Sequence, residues 1–180
     1  MHKIILTTTL LLASLTARAQ TGETFPDLTG KTITGKNLTL PDDIKGKYTL
    51  LGVAYSQKSQ DDLETWFQPV YETFLSENKS MWETSDAYDV NIYFVPMLNG
   101  LKKAAAGKVE KRMKNDLDPA LKSHVLLYVG SLKEFKEALD LGAKDEPTFF
   151  VLDADGRIVY RTQGAYSEQK MADIEGELGE

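Results

Sequence analysis

The residue types that could do chemistry gather in one polar stretch, Tyr55-Ser-Gln-Lys-Ser-Gln-Asp-Asp62. A serine hydroxyl next to a lysine amine is a minimal nucleophile–base pair, and Ser56 or Ser59 with Lys58 supplies it. Such a pair needs a desolvated amine with a depressed pKa. Lys58 instead stands among glutamines and aspartates in a stretch polar enough to stay wet. A solvated loop is therefore expected over a catalytic one. His124 opens an apolar run, and as a triad base it would need a nucleophile and a carboxylate beside it. The sequence places neither, so it reads as a structural or surface histidine. Asp153-Ala-Asp-Gly156 starts like a calcium loop but lacks a downstream ligand series, and a turn accounts for it. The chain has no cysteine, which removes disulfides, thiol catalysis and thiolate-bound zinc together. No metal site and no cofactor are expected.

The elements that must hold this stretch follow from periodicity. Tyr48-Thr-Leu-Leu-Gly-Val-Ala-Tyr55 is a short apolar run and predicts a buried strand entering the polar loop. Leu63, Trp66, Phe67, Val70, Tyr71 and Phe74 then recur at helical spacing, with Pro69 expected to kink the helix or start a new segment. Upstream, Lys31–Thr34 and Asn37–Leu40 alternate around Gly35 as a hairpin. A polar stretch with Trp82 leads to Val90–Met97, a second buried strand. Leu101, Ala105, Val109, Met113 and Leu117 form an apolar helical stripe. The other faces of that helix carry Lys102, Lys103, Lys108, Lys111, Arg112 and Lys114. His124–Val129 is a third strand, and Ser131 is the expected cap of a helix over 132–139. Thr148–Leu152 and Arg157–Tyr160 flank the Asp153–Gly156 turn, and Ser167 caps a last helix. Strands alternating with helices predict an α/β protein with a central sheet covered on both faces and an antiparallel edge pair.

Length and charge bound the rest. At 180 residues the chain is sized for one domain, and a net charge of -6 gives no general reason to expect nucleic acid as a partner. Lys3, the apolar run Ile4–Leu15 and Ala17-Arg-Ala19 read as a secretory signal cut after Ala19, a retained anchor being the alternative. The expected organisation is a signal peptide over 1–19 and one domain over 20–180, exported to the bacterial periplasm or beyond. Loss of Lys3 and Arg18 leaves the mature chain at -8. Asn37-Leu-Thr39 and Asn78-Lys-Ser80 are glycosylation sites only in a eukaryotic host.

This order of elements, with Pro147-Thr-Phe-Phe-Val-Leu-Asp-Ala-Asp-Gly-Arg-Ile-Val-Tyr160 near its end, resembles the thioredoxin-like superfamily. It is nearest the exported thiol-disulfide oxidoreductase and redoxin-like branches, over about residues 25–178. A narrower likeness runs through Leu-Leu-Gly-Val-Ala-Tyr-Ser56 with Trp66 and Pro69, Val90-Asn-Ile-Tyr93, and Asp-Gly-Arg-Ile-Val-Tyr160 with Gly164-Ala-Tyr-Ser-Glu168. Those residues resemble the mitochondrial ATP-synthase assembly factors of the same superfamily. The resemblance implies that Tyr55–Asp62 is the former redox loop and that Pro147 is the cis-proline beside it. It also implies that Glu146 faces that loop, opposite Lys58. Two registers for the lost Cys-x-x-Cys are open, Ser56/Ser59 and Ser59/Asp62.

The expectation is thus a redox-inactive thioredoxin-like module that binds protein or assists assembly in the cell envelope. Its binding face would be Tyr55, Ser56, Gln57, Lys58, Ser59, Asp62, Glu146 and Pro147. The basic helix is a candidate docking face for an anionic partner or a membrane surface, with a solvated face as its ordinary role. The alternative function is an enzyme or small-ligand carrier using non-thiol chemistry at the same loop.

Overall fold

A computed structural model describes residues 21–76, 88–99, 103–142 and 145–179, the side chains of 103–105 excepted. Residues 1–19, expected as a signal peptide, the 78–80 sequon, Trp82, Leu101 and Lys102 lie outside the described residues, as do the side chains of Lys103 and Ala105. The strands are β1 (Leu28–Thr32), β2 (Asn37–Leu40), β3 (Thr49–Ala54), β4 (Asn91–Asn99), β5 (Leu126–Gly130), β6 (Thr148–Leu152) and β7 (Ile158–Gln163). They form one sheet in the order β2-β1-β5-β4-β3-β6-β7. The helices are α1 (Gln57–Glu64), α2 (Phe67–Val70), α3 (Lys103–Asp116), α4 (Lys133–Ala138) and α5 (Glu168–Leu178).

Only β3–β4 and β4–β5 pair in parallel, while both ends of the sheet are antiparallel. The sheet is therefore mixed. β3 lies between β4 and β6 and is buried at every residue, which is why its sequence is a continuous apolar run. Its side chains alternate between two cores. Leu51 and Val53 join Phe25, Phe150 and Phe135 on one face, while Leu50 and Ala54 join Leu63, Trp66 and Phe94 on the other. Gly52 sits between them because a Cβ there would come within 2.6 Å of the Phe149 ring.

Local signals place most ends. The N-terminal hairpin is shifted by two to three residues in its first strand and unchanged in its second. Asp153 Oδ1 accepts from the N–H groups of Asp155 and Arg157, closing the β6–β7 turn around Gly156 at φ +82°. Ser167 caps α5 by accepting from Lys170 N. Ser131 does not cap α4 as expected: the helix starts at Lys133 with Leu132 at its cap, and Lys133 N reaches Ser131 Oγ at 3.4 Å.

Pro69 falls in the first turn of α2, where a missing N–H leaves no intrahelical bond broken. The break lies before it, at Thr65–Trp66, and the chain leaves α2 through a π-helical turn over Tyr71–Leu75. Trp66 is fully buried against Phe149 at 4.1 Å and donates from Nε1 to Gly164 O at 3.1 Å. This ties the first helices to the β7–α5 connection. Phe74 is also core, whereas Phe67 and Tyr71 are half-buried.

Candidate functional site

The polar stretch lies where β3 leaves the sheet, at its carboxyl end, which is the usual site-bearing edge of an α/β sheet. β6 runs antiparallel to β3, with Val53 opposite Thr148. The residues entering β6, Asp145–Pro147, therefore stand beside the residues leaving β3. Strand pairing, not sequence proximity, brings these two segments together.

Ser56 is the N-cap of α1 and Ser59 its third helical residue, so the two hydroxyls close a reciprocal capping box. Ser56 Oγ accepts from Ser59 N at 3.0 Å, and Ser59 Oγ accepts from Ser56 N at 2.9 Å and Tyr55 N at 3.0 Å. The Ser59 proton goes to Ser56 O at 3.1 Å, and the Ser56 proton goes to the Asp145 carboxylate. The two hydroxyl oxygens are 3.1 Å apart. Ser59 is fully buried. Its oxygen is already spent on two backbone donors, and no base stands on its proton.

Lys58 is exposed and bonds Asp62 Oδ2 at 2.8 Å and Asp145 O at 3.3 Å. Its hydrogen bond to Asp62 is the main reason its pKa is raised above the ordinary lysine value. A catalytic base needs the opposite shift. The Tyr55 hydroxyl is also raised, first by burial and then by the charges of Asp145 and Glu146. Its ring receives the Lys136 ammonium at 4.6 Å from the centroid. Gln57 is exposed and holds Asp61 at 2.8 Å.

Two details of the implied face are corrected. Pro147 is not the cis-proline: the cis bond among the described residues is Leu40–Pro41. Pro147 is buried and enters the β6 ladder in extended form, its carbonyl accepting from Gly164 N at 2.9 Å. Glu146 does not pair with Lys58, which is held by Asp62 instead. The Glu146 carboxylate lies beside Gly164, near the Lys170 ammonium. The acid that meets the loop is Asp145. Sequence reading passed over it by fixing on the residue before the proline; only the β3–β6 pairing points to it.

The predicted basic helix forms as α3, with Lys108, Lys111, Arg112 and Lys114 exposed. Glu110 bonds Lys31 at 3.3 Å, so the cationic face is interrupted. Arg112 belongs to a different feature. A cleft of about 470 Å³ lies between α1–α2 and α3, with Leu63, Phe67, Pro96, Met113, Leu117 and Val125 among its lining. Gln60, Glu64, Arg112, Asp116 and Asp118 also line it. None of its polar residues except Arg112 was picked out from the sequence. The signal available was the spacing within α1, where Gln60 and Glu64 lie four apart. His124 lies away from both places and donates from Nδ1 to Ile92 O at 3.0 Å, consistent with a structural role.

The model of the ATP10 protein family matches residues 14–175. The chain belongs to the ATP10 protein family. The assembly-factor likeness read from Leu50–Ser56, Trp66 and the C-terminal hairpin agrees with that membership. Solved structures give the fold of this family member. A thioredoxin domain of a thiol-disulfide oxidoreductase from Bacteroides vulgatus is 19% identical over 88% of this chain and 97% of its own, with a TM-score of 0.54. A thiol:disulfide interchange protein from Bacteroides sp. is 17% identical over 89% and 91%, with a TM-score of 0.56. The exposed lipoprotein thioredoxin of Streptococcus pneumoniae is 18% identical over 84% and 99%, with a TM-score of 0.53. No curated protein matches the chain. The expected thioredoxin-like fold is thus the fold found. Among the described residues, no group of three His, Cys, Asp or Glu side chains could hold a metal ion, and no helix is long and apolar enough to cross a membrane.

Proposed function

We propose that this ATP10 family member is an exported, redox-inactive thioredoxin-like module that binds protein and assists assembly of a membrane complex. The observation that carries this reading is the bonding of Ser56 and Ser59 in the loop that the resemblance marks as the former redox loop. Both hydroxyls are consumed in capping α1 and in holding Asp145, leaving no activated nucleophile. The absence of any cysteine rules out a thiol in their place. What remains at the end of β3 is a rigid polar surface with exposed Gln57, Lys58 and Asp145. Rigid donors and acceptors on an ordered helix start suit recognition better than turnover.

Family membership supports the assembly role, with the ATP-synthase membrane sector as the first complex to test. The leader over 1–19 supports export, with the domain beginning at Gln20. Deletion of the gene in its host tests the function. Native gels should show less assembled membrane complex at unchanged subunit synthesis, restored by the intact gene. Normal assembly in the deletion strain overturns the reading. So does insulin reduction or peroxide consumption by the pure protein.

A further inference from the structure

We infer that the cleft between α1–α2 and α3 receives an amphipathic helical segment of the partner protein, its apolar side in the cleft and lysines or arginines along its edges. The inference rests on the binding role proposed above, and it moves the contact from the capped junction to the cleft one turn farther along α1.

Two independent features of the cleft meet in that occupant. The first is its floor. Phe67 from α2 lines the cleft with Met113 from α3 and Leu117 just after it, all three half-buried, over fully buried Leu63 and Val125. A volume of about 470 Å³ falls in the range of sites that accept apolar anchors. Phe67 is held in place by packing on Phe94 at 4.6 Å between centroids, while methionine adapts to what enters. A trough between two helices is the shape that takes the apolar face of a third.

The second is its rim. Among the described residues of the lining, Glu64, Asp116 and Asp118 stand against one cation, Arg112. Arg112 and Asp116 are four apart on α3, yet among the described residues neither they nor Glu64 takes part in an ion pair or side-chain hydrogen bond. Asp118 spends one oxygen on Ala120 N and keeps its charge. The rim thus carries an excess of unspent negative charge around an apolar floor. A basic amphipathic helix satisfies both, and charge of this kind selects the partner and speeds its encounter. An acidic helix or an anionic lipid surface meets repulsion here, and a small apolar molecule fills the floor but leaves the rim unanswered.

The test uses the purified, isotope-labelled protein and two synthetic Leu/Lys and Leu/Glu helices of one pattern, each roughly four turns long. The Leu/Lys helix should shift the amide resonances of Leu63, Phe67, Met113 and Leu117 and bind about tenfold or more tighter than Leu/Glu. The double variant Glu64→Lys/Asp116→Lys, both positions being exposed, should reverse that preference with its spectrum otherwise unchanged. Lys36→Ala and Lys133→Ala, at exposed positions outside the cleft lining, should leave peptide affinity as it was. Shifts confined to the junction, shifts spread over the surface, or a preference untouched by the charge reversal overturn the inference. Assembly is read separately. Normal complex assembly by the double variant in the host removes the cleft while leaving the assembly role standing, whereas normal assembly in the deletion strain removes the assembly role itself.

Discussion

The junction at the end of β3 and the cleft beside α3 use successive turns of the same helix and are bonded in opposite ways. At the junction, each hydroxyl donates and accepts within the chain, Asp145 receives Ser56, and Lys58 is taken by Asp62. In the cleft, Glu64, Arg112 and Asp116 have no such partners among the described residues, and the floor between them is apolar. The place that fold position marks for chemistry is closed by its own hydrogen bonds. The unspent bonding capacity lies one turn farther along α1.

Breaking the junction should cost the most. Ser59→Ala strands the part-buried donors of Tyr55 and Ser56, at about 1–3 kcal/mol for each unsatisfied group. Urea unfolding should show the midpoint falling at constant slope. A loss below about 1 kcal/mol would mean that water or backbone shift replaces the hydroxyl, and the contrast with the cleft would weaken.

Ser56→Ala should cost less, about 1 kcal/mol, because it removes one N-cap acceptor and frees an exposed carboxylate. The rim of the cleft should be quieter still. Glu64→Gln and Asp116→Asn break no bond within the described chain and should stay within about 0.5 kcal/mol of the parent in the same assay. A rim variant as costly as Ser59→Ala would show that the cleft charges are structural.

The smallest effect is electrostatic. Lys58 has a pKa raised by its bond to Asp62, so the folded state holds this proton more tightly than the unfolded chain does. Its contribution to stability is fully present below the ordinary lysine pKa and fades as pH rises through the higher folded value. At neutral pH the amine is charged and useless as a base. Side-chain NMR titration of Lys58 should give a midpoint above that of Lys58 in Asp62→Asn. A midpoint below the ordinary lysine value would reinstate a Ser–Lys pair and break the junction's claim to be inert.

Much of this was legible in the residue order wherever the interaction is local. β6 was read to the residue, and Ser167 as the cap of α5, because a cap bonds a group three residues on. In the residue order two pairs stay open at the loop, Ser56/Ser59 and Ser59/Asp62. The roles of Ser56 and Ser59 as N-cap and third helical residue followed only once the start of α1 was known. The face implied for Glu146-Pro147 was misassigned in its details, since neither the pairing of Lys58 nor the isomer of Pro147 follows from adjacency. Arg112 was grouped with the lysines of α3 on composition alone. Its actual neighbours in the cleft include Glu64 and Asp118, from outside that helix.

By itself the sequence determined the α/β order, the buried central strand and the missing thiol. Each is a property of composition or of residues within about one turn of each other. Tertiary structure alone decided that Asp145 meets Ser56 across 89 positions, that Trp66 bonds Gly164 across 98, and that α1–α2 and α3 leave a cleft between them. Those outcomes depend on which strands pair and which helix faces meet. Such choices follow from burying both faces of the whole sheet at once, and no short window of the chain contains them.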